Sequence, residues 1–330
     1  LRDWVAVLER DFPLGVCDPT ADADSSDHSA FFRSRARWFS DVLERPKCLA
    51  MLTKPSRQRI TLISGEAGCG KTAIVANWLL SRAALEQHRE PHPVRPRGLR
   101  AAMSHLMEPK AYKPEAIFIY SAETSESSAH WTALLYQFVK AARTLAPWLP
   151  QPASDPLQLT SQFALALDAI GRTDGLFLVI DAIDTLGQND IALLPWLPSQ
   201  LPPHVRLLCT ARPGIVADHL MARGASVSVV APLGEGARRR LMDGYLTELG
   251  KNLQPELVGK LVGAPAASAL PFTITVLEDL RVFGEHELIA DRVATYLSCQ
   301  SYDDLLVLIL ERLEGDYAEP TNLVASVLSA

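Results

Sequence analysis

An α/β fold, with a five-stranded parallel sheet between helices and an all-helical lobe after it, is what this sequence predicts, and three observations predict it. Five short apolar runs alternate with helix-length segments between residues 60 and 231, the pattern of strands buried on both faces of a parallel sheet. A glycine-rich octet, Gly65-Glu-Ala-Gly-Cys-Gly-Lys-Thr72, joins the first run to the first of those helical segments. After Val230 the runs stop, and apolar residues recur at helical spacing to about residue 315.

Taken in order, residues 1–50 read as a helical segment. Trp4, Val5, Val7 and Leu8 form one apolar stripe, Asp18 to Asp27 is an acidic, turn-rich interruption, and a second helix carries Phe31, Phe32, Trp38, Phe39, Val42 and Leu43. Arg33, Arg35 and Arg37 fall between those apolar residues, as a solvated face or a basic patch. A core domain is expected over 51–233, with strands at 60–64, 116–121, 176–181, 205–210 and 227–230. Its helices are expected near 73–85, 128–145, 158–170, 190–199 and 214–223. The segment His88 to Pro114 carries Pro91, Pro93 and Pro96 among Arg89, Arg95, Arg97 and Arg100. Its prolines preclude a continuous helix, so it reads as a surface insertion, either solvated or a weak candidate for RNA or an acidic partner. A helical domain follows over 234–319, with helices near 234–249, 255–262, 271–282, 286–298 and 302–315. The apolar stretch Leu323 to Leu328 reads as the start, over 320–330, of a further domain.

Composition narrows the class. Of 330 residues, 48% are hydrophobic and 21% charged, with a net charge of −6; these values give no general electrostatic reason to bind nucleic acid or an anionic membrane. No apolar run is long enough to cross a bilayer, and no secretory signal is visible. The chain starts at Leu1, which suggests a piece of a longer protein or a processed one. Cys17, Cys48, Cys69, Cys209 and Cys299 are scattered without CxxC spacing, so neither a zinc site nor a disulfide framework is indicated, and a reducing intracellular compartment is expected.

The octet carries most of the functional signal. Between a strand and a helix, its backbone N–H groups can converge on phosphate oxygens, and the helix dipole points at the same anion. Gly65, Gly68 and Gly70 permit the close approach; Lys71 would reach the β- and γ-phosphates and Thr72 would ligate Mg²⁺. ATP or ADP with Mg²⁺ is therefore the expected cofactor. The run Leu176-Phe-Leu-Val-Ile-Asp181 supplies an acid at the same sheet edge, where Asp181 can hold the metal directly or through water. Asp184 follows, either as an acid that polarises an attacking water or as half of a helix-capping Asp-Thr pair. A third apolar run ends in Thr210-Ala-Arg212; that guanidinium either senses the γ-phosphate or pairs with a structural carboxylate.

The order of these elements, with the Trp-Leu-Pro-x-x-Leu-Pro stretch at 196–202 between the second and third, resembles NACHT-type P-loop NTPases of the STAND class. The similarity extends to the group with nephrocystin-type and telomerase-associated NACHT and WD-repeat proteins. Phe31-Phe-Arg-Ser-Arg-Ala-Arg37, Val276-Leu-Glu-Asp-Leu-Arg-Val-Phe-Gly284 and Ile309-Leu-Glu-Arg-Leu-Glu314 resemble stretches of that group, so the resemblance covers about 30–319. It implies phosphate binding at Gly65, Gly70, Lys71 and Thr72, a metal acid at Asp181, a second acid at Asp184, a sensor at Arg212 and an adenine-side proline at Pro271. Thr185 stands where the family often has another acid, which implies slow hydrolysis at most. Cys69 replaces a small residue, which makes the loop a candidate for oxidation or alkylation. The implied function is a nucleotide-dependent conformational or assembly switch within a larger scaffold. The competing readings are a multi-turnover remodelling ATPase and a non-hydrolysing scaffold module of an RNP or ciliary complex. Implied partners are other domains of the same longer chain and proteins of a multi-subunit assembly, a second copy included, in cytoplasm, cilium or nucleus and without a membrane.

Overall fold

The computed structural model describes residues 23–36, 58–87, 116–125, 127–173, 175–186, 194–248, 250, 252–283 and 286–316. Five strands form one sheet: β1 (Ile60–Ser64), β2 (Ala116–Ser121), β3 (Leu176–Asp181), β4 (Val205–Ala211) and β5 (Ser226–Val229). Their spatial order is β2-β3-β4-β1-β5, and every pairing is parallel. Each predicted strand agrees to within one residue at either end.

The continuous apolar runs are explained by burial on both faces. Side chains alternate across a strand, so Leu62, Leu178 and Leu207 join one apolar cluster while their neighbours Ile63, Val179 and Leu208 join another. The first cluster is closed by α3 (Trp131–Leu145), α4 (Pro156–Thr173) and α5 (Ile215–Ala222). Helix α3 faces it with Leu134, Leu135, Phe138, Val139 and Ala142, a 3.6-period stripe. Ring contacts run from Phe118 to Phe138, Phe163 and Trp196 at 5.0, 5.0 and 6.0 Å between centroids. The second cluster is closed by α1 (Ala23–Ala36) and α2 (Lys71–Gln87), with Phe32 and Trp78 buried in it. Helix α1 also docks on β2 through His28, whose Nδ1 lies 2.9 Å from Thr124 Oγ1 and accepts the Ser121 N–H at 3.3 Å.

After β5 the chain is helical: α6 (Glu235–Glu248), α7 (Pro255–Gly263), α8 (Leu270–Val282), α9 (Ile289–Leu297) and α10 (Tyr302–Asp316). These helices bury a third apolar cluster of their own, with Leu261, Phe272, Val293 and Tyr296 at its centre. A buried polar group ties it together. Asp279 on α8 accepts hydrogen bonds from Tyr296 and from the guanidinium groups of Arg292, at 3.2 Å, and Arg312. Leu241 and Leu270 belong to the second sheet cluster, so the helical lobe is continuous with the sheet core on the α2 side.

Two expectations are corrected. The acidic stretch read as turn from Asp18 to Asp27 is helical from residue 23; acidic sequence suits the first turn of a helix as well as a loop. The helix expected over 190–199 is absent from its described part, 194–199, which is turn. Pro195 and Pro198 supply no N–H donor and disfavour helical geometry in the residues before them, and Leu194 has φ of +48°. Trp196, Leu197 and Leu201 are nevertheless buried, so their apolar spacing reports packing rather than a helix. The stripe at 4–8, the helix portion 37–43, the insertion 88–114 and the stretch 320–330 lie outside the described residues.

Candidate nucleotide-binding site

The C-terminal ends of β1, β3 and β4 lie side by side, and the octet leaves the first of them. Gly68 and Gly70 take φ of +71° and +94°, a region that costs other residues about 1–2 kcal/mol. Space is equally short at Gly65, where a Cβ would stand 2.5 Å from the Val230 carbonyl oxygen. Helix α2 begins at Lys71, two residues earlier than the apolar pattern suggests, so the N–H groups of its first turn have no intrahelical partner. They face a cavity of about 590 Å³ lined in part by Gly68, Gly70, Lys71 and Thr72. The Lys71 ammonium donates to the Gly65 and Glu66 carbonyls, both at 2.8 Å. Cys69 is 1% exposed, so the expected reactivity of its thiol is corrected: burial removes its access to oxidants and alkylating agents.

Beneath the loop, Asp181 is fully buried and held by three hydroxyls. Thr210 donates at 2.6 Å, Thr72 at 3.0 Å and Ser121 at 3.2 Å. Burial pushes its carboxyl up from 3.8 to about 6; the hydroxyl of Thr210 opposes this, the charge of Glu123 adds to it, and Thr72 and Ser121 oppose it. The Thr72 hydroxyl and Asp181 carboxylate are hard oxygen donors at one sheet edge, which suits Mg²⁺. These two residues would hold it.

Asp184 sits in a short 3₁₀ turn (Ile183–Thr185) and caps no helix among the described residues. Its Oδ2 accepts from Arg212 Nε at 2.6 Å, with the Arg212 side chain 48% exposed and that of Asp184 12%. The Asp184 hydrogen bond raises the Arg212 pKa further, and its charge adds to the effect. Of the two readings of Arg212, this structure shows pairing with a carboxylate, and both partners line the cavity. The Thr185 hydroxyl turns back onto the Ala182 carbonyl at 2.8 Å.

The opposite wall comes from the helical lobe. The Leu270 N–H donates to the Gly68 carbonyl at 2.9 Å, and a Cβ on Gly68 would stand 3.0 Å from Pro271 Cδ. Pro271, Ile274, Thr275 and Tyr302 line that wall, with Ser34 and Arg35 of α1 nearby. The structure thus gathers Gly68, Gly70, Lys71, Thr72, Asp184, Arg212 and Pro271 around one cavity, with Gly65 at the base of the loop and Asp181 buried beneath Thr72.

A parallel sheet with this strand order, a glycine loop opening onto a helix and an acid at the end of β3 define the P-loop NTPase fold. Residues 48–209 match the family model of the AAA ATPase domain, and the core built on them is an ATP-binding P-loop NTPase module of AAA type. A TPR repeat-containing protein of Dictyostelium discoideum is 24% identical over 292 residues, which cover 81% of this chain and 17% of that protein. Telomerase protein component 1 of Mus musculus is 24% identical over 251 residues, covering 72% of this chain and 9% of that protein. This chain therefore spans less than a fifth of either curated relative. Among solved structures, the Walker-type ATPase of Pyrococcus abyssi aligns with 88% of this chain and 76% of its own at 14% identity and a TM-score of 0.48.

Sequence reasoning missed Ser121, Thr210, Glu123, Thr275 and Tyr302. Thr210 was visible inside the Thr-x-Arg signal, whose threonine was given no task. The others carry no local signature, because only the sheet register and the lobe packing bring them to the site.

Proposed function

We propose that this chain is a nucleotide-dependent switch of NACHT/STAND type within a longer protein. ATP with Mg²⁺ occupies the cavity between the sheet edge and the helical lobe. Lys71 and the loop N–H groups bind the phosphates, Thr72 and Asp181 hold the metal, and Pro271 flanks the base. One observation carries the reading: the lobe is bonded to the phosphate loop itself, through Leu270 N–H to Gly68 O at 2.9 Å, so a change in loop occupancy reaches α8 directly. The likeness to a telomerase protein component and to a TPR-repeat protein supports a scaffold setting. The readers of the switch are then the remaining domains of the longer chain and proteins of its assembly, a second copy included.

The chemistry is differential. Arg212 leaves Asp184 for the γ-phosphate when ATP is bound and has no such partner with ADP, so it biases one state. Arg212→Ala is expected to weaken ATP about tenfold, the effect of one charge-assisted hydrogen bond less the exposed ion pair it replaces. ADP affinity stays unchanged, and titration calorimetry with both nucleotides checks the pair. Hydrogen exchange over 265–282 tests the switch: ATP- and ADP-loaded full-length protein should differ in protection there. Identical protection with both nucleotides bound would sink it.

A further inference from the structure

We propose that Glu123 is the group that takes the proton from the attacking water in ATP hydrolysis at this site, a task its sequence position alone would assign to Asp184. The inference rests on the nucleotide site proposed above and names a residue within it. Three carboxylates lie at the sheet edge around the cavity, and two are occupied. Asp181 is wholly buried and saturated by the hydroxyls of Thr210, Thr72 and Ser121. Asp184 is held at 2.6 Å by Arg212, and Thr185, which follows it, is a hydroxyl turned onto a backbone carbonyl. In this structure the Arg212 guanidinium occupies the Asp184 oxygen that would have to receive a proton.

Glu123 is the remaining acid lining the cavity. It is exposed, and its carboxylate makes no hydrogen bond or ion pair with a described residue. Its position is built rather than incidental. Strand β2 lies beside β3 with Ser121 in register with Asp181, and the Ala122 N–H continues the ladder onto the Asp181 carbonyl at 3.1 Å. The Ser121 hydroxyl then accepts the Glu123 N–H at 3.3 Å while donating to Asp181 at 3.2 Å. One hydroxyl therefore fixes the Glu123 backbone against the metal-side acid. The negative charge of Glu123 contributes to raising the pKa of Asp181 and, less than Asp184 does, that of Arg212.

In the step itself, the water oxygen forms a bond to the γ-phosphorus. The bond from that phosphorus to the β–γ bridging oxygen breaks, its electron pair leaving with ADP. Glu123 accepts one water proton and later returns it to solvent. The products are ADP, inorganic phosphate and that proton. Arg212, once it has left Asp184 for the γ-phosphate, also releases Asp184, so Asp184→Asn is measured beside Glu123→Gln, and a larger fall in rate in Asp184→Asn overturns the assignment.

Single-turnover hydrolysis with full-length protein in excess over ATP tests the assignment, with Kd for ATP measured in parallel. For Glu123→Gln the hydrolysis rate should fall at least tenfold, about 10²–10⁴-fold being usual for loss of a general base, with Kd within about threefold of wild type. Glu123→Asp should recover part of the rate. A fall of less than tenfold in the Gln variant overturns the assignment, as does a parallel loss of ATP affinity, which would make Glu123 structural. Wild-type protein that binds ATP and leaves it intact overturns it too, while the switch reading stands. Retention of ATP affinity by Lys71→Ala would instead remove the nucleotide site itself.

Discussion

Lys71→Ala is expected to weaken ATP binding about 10²–10³-fold while leaving the fold nearly as stable. In this structure the ammonium donates to two loop carbonyls, Gly65 O and Glu66 O, each at 2.8 Å. It thereby holds the loop open around the space the phosphates would take. On binding, the same charge turns to the β- and γ-phosphates. Hydrogen bonds between charged partners contribute about 1.5–3 kcal/mol each, and 1.4 kcal/mol is a factor of ten, so loss of two at the lower end of that range sets the expected magnitude. Stability should change by less than about 1 kcal/mol, because the side chain is only partly buried and one of its two carbonyl partners, Glu66, is exposed to water. Lys71→Arg is the sharper control: it keeps the charge but replaces a compact ammonium with a planar fork in a loop where Gly65 already lies against Val230. Titration calorimetry with ATP and ADP, beside a thermal melt, reads both quantities. An unchanged Kd in Lys71→Ala would show that the octet does not hold the nucleotide.

Legibility followed physics. Strands buried on both faces give unbroken apolar runs, and a phosphate loop needs glycine at fixed places, so the five strands and the octet are readable in the sequence itself. Pro271 was legible only through family resemblance; its contact with Gly68 comes from the lobe folding back by about 200 residues of sequence. The hydroxyl cage of Asp181 was illegible for the same reason. Ser121 and Thr210 meet Asp181 because β2, β3 and β4 are neighbours, and strand order has no local signature. The pairing of Arg212 with Asp184 was one of two readings left open by the chain, and only the geometry chose it for this state. Periodicity misled at 194–199, where Trp196 and Leu197 are spaced for burial while the flanking prolines forbid the helix.

Asp279→Ala is expected to be the most destabilising single change in the helical lobe. Asp279 is 7% exposed, and its carboxylate collects three donors from two other helices: Tyr296 and Arg292 of α9 and Arg312 of α10. Arg292 also stacks on Phe283 and Tyr296 at 5.4 and 5.5 Å. Truncation leaves two guanidinium groups, their side chains 16% and 23% exposed, without a counter-charge. Removing one partner of such a buried set costs about 3–5 kcal/mol, a large part of a total stability of about 5–15 kcal/mol. Asp279→Asn should cost less, since it keeps an acceptor for Tyr296 and the shape of the site. By contrast, loss of the exposed pair between Arg281 and Glu278, on the same helix, should cost under about 1 kcal/mol. The effect should reach the nucleotide, because α10 supplies both Arg312 to this network and Tyr302 to the cavity wall. Urea unfolding followed by a lobe-specific probe, with ATP affinity measured on the still-folded fraction, should therefore show both quantities falling together in Asp279→Ala. A variant that unfolds at the wild-type midpoint would mean that the ion network is dispensable and that apolar packing alone fixes α8, α9 and α10.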